Sequence, residues 1–392
     1  MRVLLAHSFY QQHGGEDSVV EAELALLRDN GHEVETCFAH NNAMSEMSAP
    51  GAALRTVWSR RDHAAMGQRI RAFKPDVVHV HNTFQALSPA VLQAVSAAKV
   101  PLVQTLHNFR LICPQAILLR DGKVCEDCVG KVPWRGVVRG CYRGSVAQTA
   151  VLSTMLMVHR AMGTYEGEVD RFVALSEFSR RKLIEGGLPA DRISVKPNFF
   201  DWPELPDEVG RDGGLFIGRL SQEKGIGVLL AARREHGLTD VAVIGSGEAY
   251  EREVAEAFGP AYLGFQPLDA VVTRLRQASF LVLPSICYEN FPRTIVEAFA
   301  CGVPVLASRM GAMAELVDDG VTGLLFAPGD ARDLAAKVAW AKAHPAEMLA
   351  MGRHARAVYD ARYRPQANHE ALLTIYRLAH EHRAMRAGRA HG

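Results

Sequence analysis

Apolar positions along the chain follow two alternating periods. Short runs at residues 3–6, 33–39, 77–80, 102–106 and 172–175 are apolar and rich in β-branched side chains, the composition of buried strands. Between them, residues 19–28, 67–73 and 89–97 carry apolar side chains at helical spacing. Strand–helix alternation predicts βαβ units and a parallel sheet. The pattern breaks at 197–214, where Pro197, Pro203 and Pro206 precede Gly210, Gly213 and Gly214, the composition of a linker. A second alternating half follows. Its expected strands are 215–218, 241–244, 262–264, 280–284, 303–307 and 323–326, and its expected helices 225–235, 268–277, 293–301, 331–343 and 345–359.

The pattern therefore predicts an α/β protein of two doubly wound, Rossmann-like domains facing each other across a cleft. They span residues 1–198 and 214–360, joined by a linker at 199–213, and a helix at 361–392 returns to the first domain. Ligands are expected at the carboxyl ends of the strands, in the cleft. A chain of 392 residues suits two cores.

Composition narrows the class. Hydrophobic residues are 48% and charged residues 22%, which argues against long disorder. A net charge of +1 gives no global field for nucleic acid, so no nucleic-acid partner is expected. The most apolar long stretch, 146–157, is interrupted by Gln148, Thr149, Ser153 and Thr154 and falls short of a membrane span. The first six residues are too short for a signal sequence, so a cytoplasmic protein is expected. Seven cysteines suit thiols or metal ligands better than a disulfide framework.

Three motifs of the second half carry chemistry. Glu289-Asn290-Phe291-Pro292-Arg293-Thr294-Ile295-Val296-Glu297 follows an expected strand and runs into a helix whose first turn accommodates Pro292. Free N–H groups there suit an anionic or hydroxyl-rich ligand. Glu289, before the helix, can accept from sugar hydroxyls, and Glu297, about two turns on, can hold a ribose diol; two glutamates at this spacing also occur on ordinary amphipathic helices. Gly218-Arg219-Leu220-Ser221-Gln222-Glu223-Lys224-Gly225 offers a guanidinium fork and a compact ammonium, which suit a diphosphate, unless the two are only solvated charges beside a turn. Gly245-Ser246-Gly247-Glu248 forms a tight strand–helix turn but lacks the third glycine of a dinucleotide fingerprint.

In this order, with Pro284-Ser285 ahead of Glu289, the three motifs resemble glycosyltransferase family 4. In the first half, Gly14-Gly15-Glu16 resembles the family's glycine-rich loop, and Gln104-Thr105-Leu106-His107 its strand ending in histidine. The resemblance implies a GT-B fold, a nucleoside-diphosphate sugar as donor, retention of anomeric configuration and no catalytic cofactor or metal. It implies that Glu289 and the amides near Asn290 and Phe291 contact the donor sugar, Glu297 the ribose, and Arg219 and Lys224 the diphosphate. His107 would face the transferred sugar, Gly15 would let backbone approach donor phosphate or acceptor, and Gly245 and Gly264-Phe265 would line the nucleotide. His79, His81 and Asn82, ending a neighbouring strand, are expected as cleft wall or acceptor contacts.

Two local features lie outside those motifs. Lys131, Arg135, Arg139 and Arg143 fall in a stretch without an acid, interleaved with Val132, Trp134, Val137, Val138 and Tyr142. This is either a solvated loop or a surface for an anionic membrane, which would place the protein at the inner face of the cell membrane. Cys113, Cys125, Cys128 and Cys141 lie within 29 residues, either four ligands of a structural zinc or small buried hydrophobes.

The expected reaction is hexose transfer to a hydroxyl of a glycan or lipid-linked acceptor in polysaccharide or surface-glycan synthesis. The alternatives are a nucleotide-sugar epimerase of the same fold and a non-catalytic nucleotide-sugar-binding scaffold subunit. Donor base, sugar, acceptor and linkage are set by pocket shape and are not legible here.

Overall fold

The computed structural model describes residues 1–201 and 210–389; Pro203 and Pro206 of the expected linker lie outside the described residues. The chain divides into two compact units. The first comprises Met1–Ile117, Glu126–Asn198 and Asn368–Gly392, the second Leu118–Cys125 and Phe199–Ala367.

In chain order the strands are β1 (Arg2–Phe9), β2 (Glu33–His40), β3 (Val77–Val80), β4 (Leu102–Thr105), β5 (Leu119–Arg120), β6 (Lys123–Val124), β7 (Arg171–Ala174) and β8 (Ile193–Val195). They continue with β9 (Gly214–Ile217), β10 (Val241–Ile244), β11 (Tyr262–Gly264), β12 (Phe280–Leu283), β13 (Val305–Ser308) and β14 (Gly323–Phe326). The first unit holds a parallel sheet in the order β2-β1-β3-β4-β7-β8, and the second one in the order β11-β10-β9-β12-β13-β14. β5 and β6 pair only with each other, antiparallel.

β1, β3 and β12 are four to eight residues of mostly buried aliphatic side chain, as parallel strands covered on both faces require. In the first unit Val3, Val77, Val103 and Val173 pack with Leu372, Ile375 and Tyr376 of the helix Pro365–Arg389. In the second, Phe216, Phe258, Phe280 and Phe326 form the aromatic centre of the core.

In the second sheet the chain order reverses between β9 and β12. Loops leaving neighbouring strands in opposite directions open a crevice at their carboxyl ends, the position where doubly wound folds bind ligands.

Three local expectations change. The helix expected from residue 19 runs Gly15–Asp29, because Asp17 folds back to accept the Gly14 N–H at 2.9 Å and starts the helix a turn earlier. β8 and the β5–β6 hairpin carry too few apolar residues to stand out in the pattern. Pro292 occupies the boundary of the helix Arg293–Ala300 instead of its first turn.

Candidate active site

The second unit gathers its chemistry at the ends of β9, β10, β11 and β12. Gly225 has φ of +72°, and a Cβ there would stand 1.8 Å from the Pro284 carbonyl oxygen. Only glycine allows both this left-handed turn and so close an approach between the loops after β9 and β12. Ile286 N–H donates to Glu223 O at 3.0 Å and ties the same two loops. Beyond β10, Leu220 N–H donates to Ser246 O at 3.0 Å and Gly245 N–H to Gly264 O at 2.9 Å, so the segments after β9, β10 and β11 are continuous.

On this frame Lys224 Nζ donates to Glu289 Oε1 at 2.7 Å, and Ser285 Oγ donates to the same oxygen at 2.8 Å. Burial alone would raise Glu289, but Lys224 and Ser285 hold its carboxyl below the usual range. Burial alone would lower Lys224, but Glu289 holds its ammonium above its ordinary value. Both groups therefore stay charged.

Arg219 does not join this pair. Its side chain is 74% exposed and meets Glu223 Oε1 at 3.1 Å. Glu297 lies on the helix Arg293–Ala300, pushed up by burial, with Arg293 Nη2 at 3.6 Å. Asn290 and Phe291 are buried, Phe291 edge-on to Tyr363 at 6.2 Å. Phe265, after β11, leaves 77% of its surface exposed.

In the first unit, His107 follows β4 and Gly15 opens the helix Gly15–Asp29. The loop before that helix is pinned: fully buried His7 Nε2 lies 2.8 Å from Asp17 Oδ1, while Asp17 Oδ2 accepts from Gly14. His107 Nε2 lies 2.9 Å from His81 Nδ1, and the two rings stack.

The family models "Glycosyl transferase 4-like domain" and "Glycosyl transferases group 1" match residues 14–198 and 210–358. An uncharacterised glycosyltransferase of Methanocaldococcus jannaschii is 31% identical over 86% of this chain and 87% of its own length. The chain belongs to glycosyltransferase family 4.

A phosphatidyl-myo-inositol mannosyltransferase of Mycolicibacterium smegmatis is 27% identical, covering 82% of this glycosyltransferase and 80% of itself. Among solved structures, the sucrose-phosphate synthase of Thermosynechococcus elongatus superposes with a TM-score of 0.69 at 18% identity, covering 96% of this chain and 98% of its own. Anabaena HepE, solved with UDP-glucose, gives 0.65 at 19% identity, covering 95% and 99%. The fold is thus GT-B, with two Rossmann-like halves.

The remaining motif residues of the glycosyltransferase fall unevenly. His79 and His81 are buried, and Asn82 is spent on the carbonyls of Ser8 and Phe84, so all three are interior groups of the first unit and not an exposed acceptor wall. Among the described residues, the one group bringing three ligand atoms within 4.8 Å of one another is Glu23, His79 and His81. Lys196 Nζ sits 2.9 Å from Glu23 and supplies the positive charge there. The four cysteines are not in such a group. Cys113 and Cys128 are buried and Cys125 and Cys141 half-buried. Cys125 N–H closes the β5–β6 hairpin on Leu118 O.

Glu23 and Lys196 escaped sequence reasoning, and Glu16 entered it only as part of the glycine-rich loop, with no role of its own. Glu23 was detectable as a carboxylate within the apolar stripe Val19, Val20, Leu26, Leu27. Glu16 accepts from Tyr10 OH at 3.2 Å, and burial pushes it up to about 7. Among the described residues no helix is long and apolar enough to cross a membrane.

Proposed function

We propose that this glycosyltransferase moves a hexose from a nucleoside-diphosphate sugar to a hydroxyl of a glycan or lipid-linked acceptor, with retention at the anomeric carbon and no catalytic metal. The observation that carries this reading is the Lys224–Glu289 pair, a charged donor and acceptor side by side at the carboxyl end of a doubly wound sheet. Lys224 and the exposed Arg219 fork take the diphosphate; Glu289 takes hydroxyls of the sugar with the amides near Asn290 and Phe291. Glu297 takes the ribose, Gly245, Gly264 and Phe265 line the nucleotide, and Gly15 and His107 of the first unit approach donor phosphate and transferred sugar. The UDP-glucose bound to HepE supports the donor class.

In the reaction the acceptor oxygen bonds to the anomeric carbon on the face the diphosphate leaves. The bond from that carbon to the phosphate oxygen breaks, its electron pair goes to the diphosphate, and the acceptor proton passes to that departing oxygen. Lys224, held in place by Glu289, and the exposed Arg219 stabilise the negative charge that grows on the leaving group. They take the part that a metal plays in sites built on an Asp-x-Asp, a motif absent from the mouths of these strands.

The acceptor side rests on a pocket of about 310 Å³ in the first unit, floored by Met44, Ala52, Val151 and Leu152 and edged by Gln85 and Arg143. An apolar floor with a cationic edge suits an amphiphile bearing a phosphate, and the M. smegmatis relative's name is that of an enzyme acting on a phosphatidyl lipid. Nearby in sequence, Trp134 and Val138 are exposed, at 59% and 69%, among Arg135, Arg139 and Arg143. This favours docking on the anionic cytoplasmic face of the cell membrane in surface-glycan synthesis.

Proton NMR of the product formed in EDTA tests the reading. Transfer at an undiminished rate with the donor's anomeric configuration is expected. An inverted anomer, or a loss of rate restored only by Mg²⁺ or Mn²⁺, would overturn it.

A further inference from the structure

His107 ends a chain of buried hydrogen bonds whose direction is set at its far end. Lys196 is 1% exposed, and its ammonium, which can only donate, gives to Glu23 Oε2 and to Asn368 Oδ1, each at 2.9 Å. Asn368 keeps its amide nitrogen for Pro197 O, which fixes its oxygen toward the lysine. A buried ammonium needs a buried counter-charge, so Glu23, also fully buried, is a carboxylate and accepts at both oxygens. Its Oε1 faces His79 Nδ1 at 3.0 Å and His81 Nε2 at 3.2 Å.

The rest follows by elimination. Facing a carboxylate, His81 Nε2 carries the proton. Burial among other histidines pushes the His81 ring down to about 3, so it is neutral and its Nδ1 is bare. His81 Nδ1 lies 2.9 Å from His107 Nε2, which must then be the protonated nitrogen of the His107 ring. Burial and the neighbouring His81 also hold His107 well below its ordinary value, so it too is neutral. Its Nδ1 is left with a lone pair, and among the described residues it makes no hydrogen bond. His107 as a residue is half-buried.

We infer that Glu23, acting through His81 and locked by Lys196, is a positioning residue that fixes His107 as the Nε2–H tautomer, so that His107 meets a ligand hydroxyl as an acceptor through Nδ1 and not as a donor. The inference rests on the proposed placement of His107 against the transferred sugar only for its catalytic consequence; the tautomer itself is a property of the free protein. Glu23→Gln is the discriminating change. Lys196 still demands an oxygen, so the amide nitrogen of Gln must take the Oε1 position and donate to His81 Nε2. That inverts His81, and with it His107.

The test is a long-range proton–nitrogen correlation spectrum of the histidine-labelled full chain, with His107 assigned by loss of its signals in His107→Gln. The wild type is expected to show a protonated Nε2 and a bare Nδ1 at His107, and Glu23→Gln the reverse. Glu23→Gln is further expected to lower kcat ~10–100-fold, the range for losing a partner that orients a site histidine, with donor KM little changed. Glu23→Asp, which keeps the carboxylate, should restore the wild-type tautomer and most of the rate. If Glu23→Gln fails to fold, the wild-type spectrum decides alone, since the relay requires Nε2–H at His107. A bare Nε2 in the wild type, or a His107 tautomer indifferent to the charge at position 23, overturns the relay. Full turnover in His107→Ala, with the tautomers as expected, sinks instead the placement of His107 at the sugar.

Discussion

Lys224 and Glu289 stand 65 residues apart in sequence, on the loops after β9 and β12, and meet at 2.7 Å. Since Glu289 is held below its usual value of 4.5, the pair's stabilisation is present above that pH and lost as the pH falls through the folded value. Lys224→Met leaves the carboxylate buried without its cation. Urea unfolding should show a loss of about 2–4 kcal/mol at pH 7 and a much smaller loss at pH 4, where Glu289 can take a proton. Equal losses at both values would mean that the two groups are not coupled.

Gly225→Ala tests the frame beneath that pair. The left-handed φ and the 1.8 Å approach to Pro284 O leave no room for a methyl group. A loss of about 2–4 kcal/mol is expected, with turnover falling further than stability accounts for, because Lys224 precedes this turn. Wild-type melting temperature and rate in this variant would show that the two loops approach less closely.

Glu16 gives the opposite pH sign. Its folded value of about 7 lies above the usual 4.5, so its contribution is fully present below 4.5 and is lost as pH rises through 7. Glu16→Gln should be more stable than wild type at pH 8, by on the order of 2 kcal/mol, and no more stable at pH 4.5. A difference that does not change with pH would place Glu16 in water.

What the sequence disclosed follows from how local each signal is. The loops bearing Arg219, Lys224, Glu289 and Gly245 were legible because each directly follows a short aliphatic strand and is punctuated by glycine or proline. The sheet pattern was legible because parallel strands buried on both faces are nearly uniform apolar runs. The Glu23–Lys196 pair was not, since 173 residues separate its members and only the tertiary fold makes either of them interior. Asp127 shows the same limit: residues 131–143 contain no acid, yet Asp127, just outside, meets Arg139 at 2.5 Å and Arg135 at 3.7 Å.

That ion pair sharpens the membrane expectation. Asp127 offsets part of the basic surface, so binding should depend most on Arg143 and on exposed Trp134. In flotation with anionic vesicles, Arg135→Glu, Arg139→Glu and Arg143→Glu together should abolish binding, and Asp127→Asn should strengthen it. Equal recovery of all three proteins with the vesicles would leave this surface as solvated loop.

In the proposed reaction Lys224 meets the leaving diphosphate of a sugar nucleotide. Release of nucleoside diphosphate from a panel of UDP- and GDP-sugars, at saturating donor, measures this directly in wild type and Lys224→Ala. Release from at least one donor by the wild type is expected, with turnover at least ~100-fold lower in the variant, the size of losing one charge partner of the transition state. Full turnover in folded Lys224→Ala, or no release from any donor by the wild type, would contradict it.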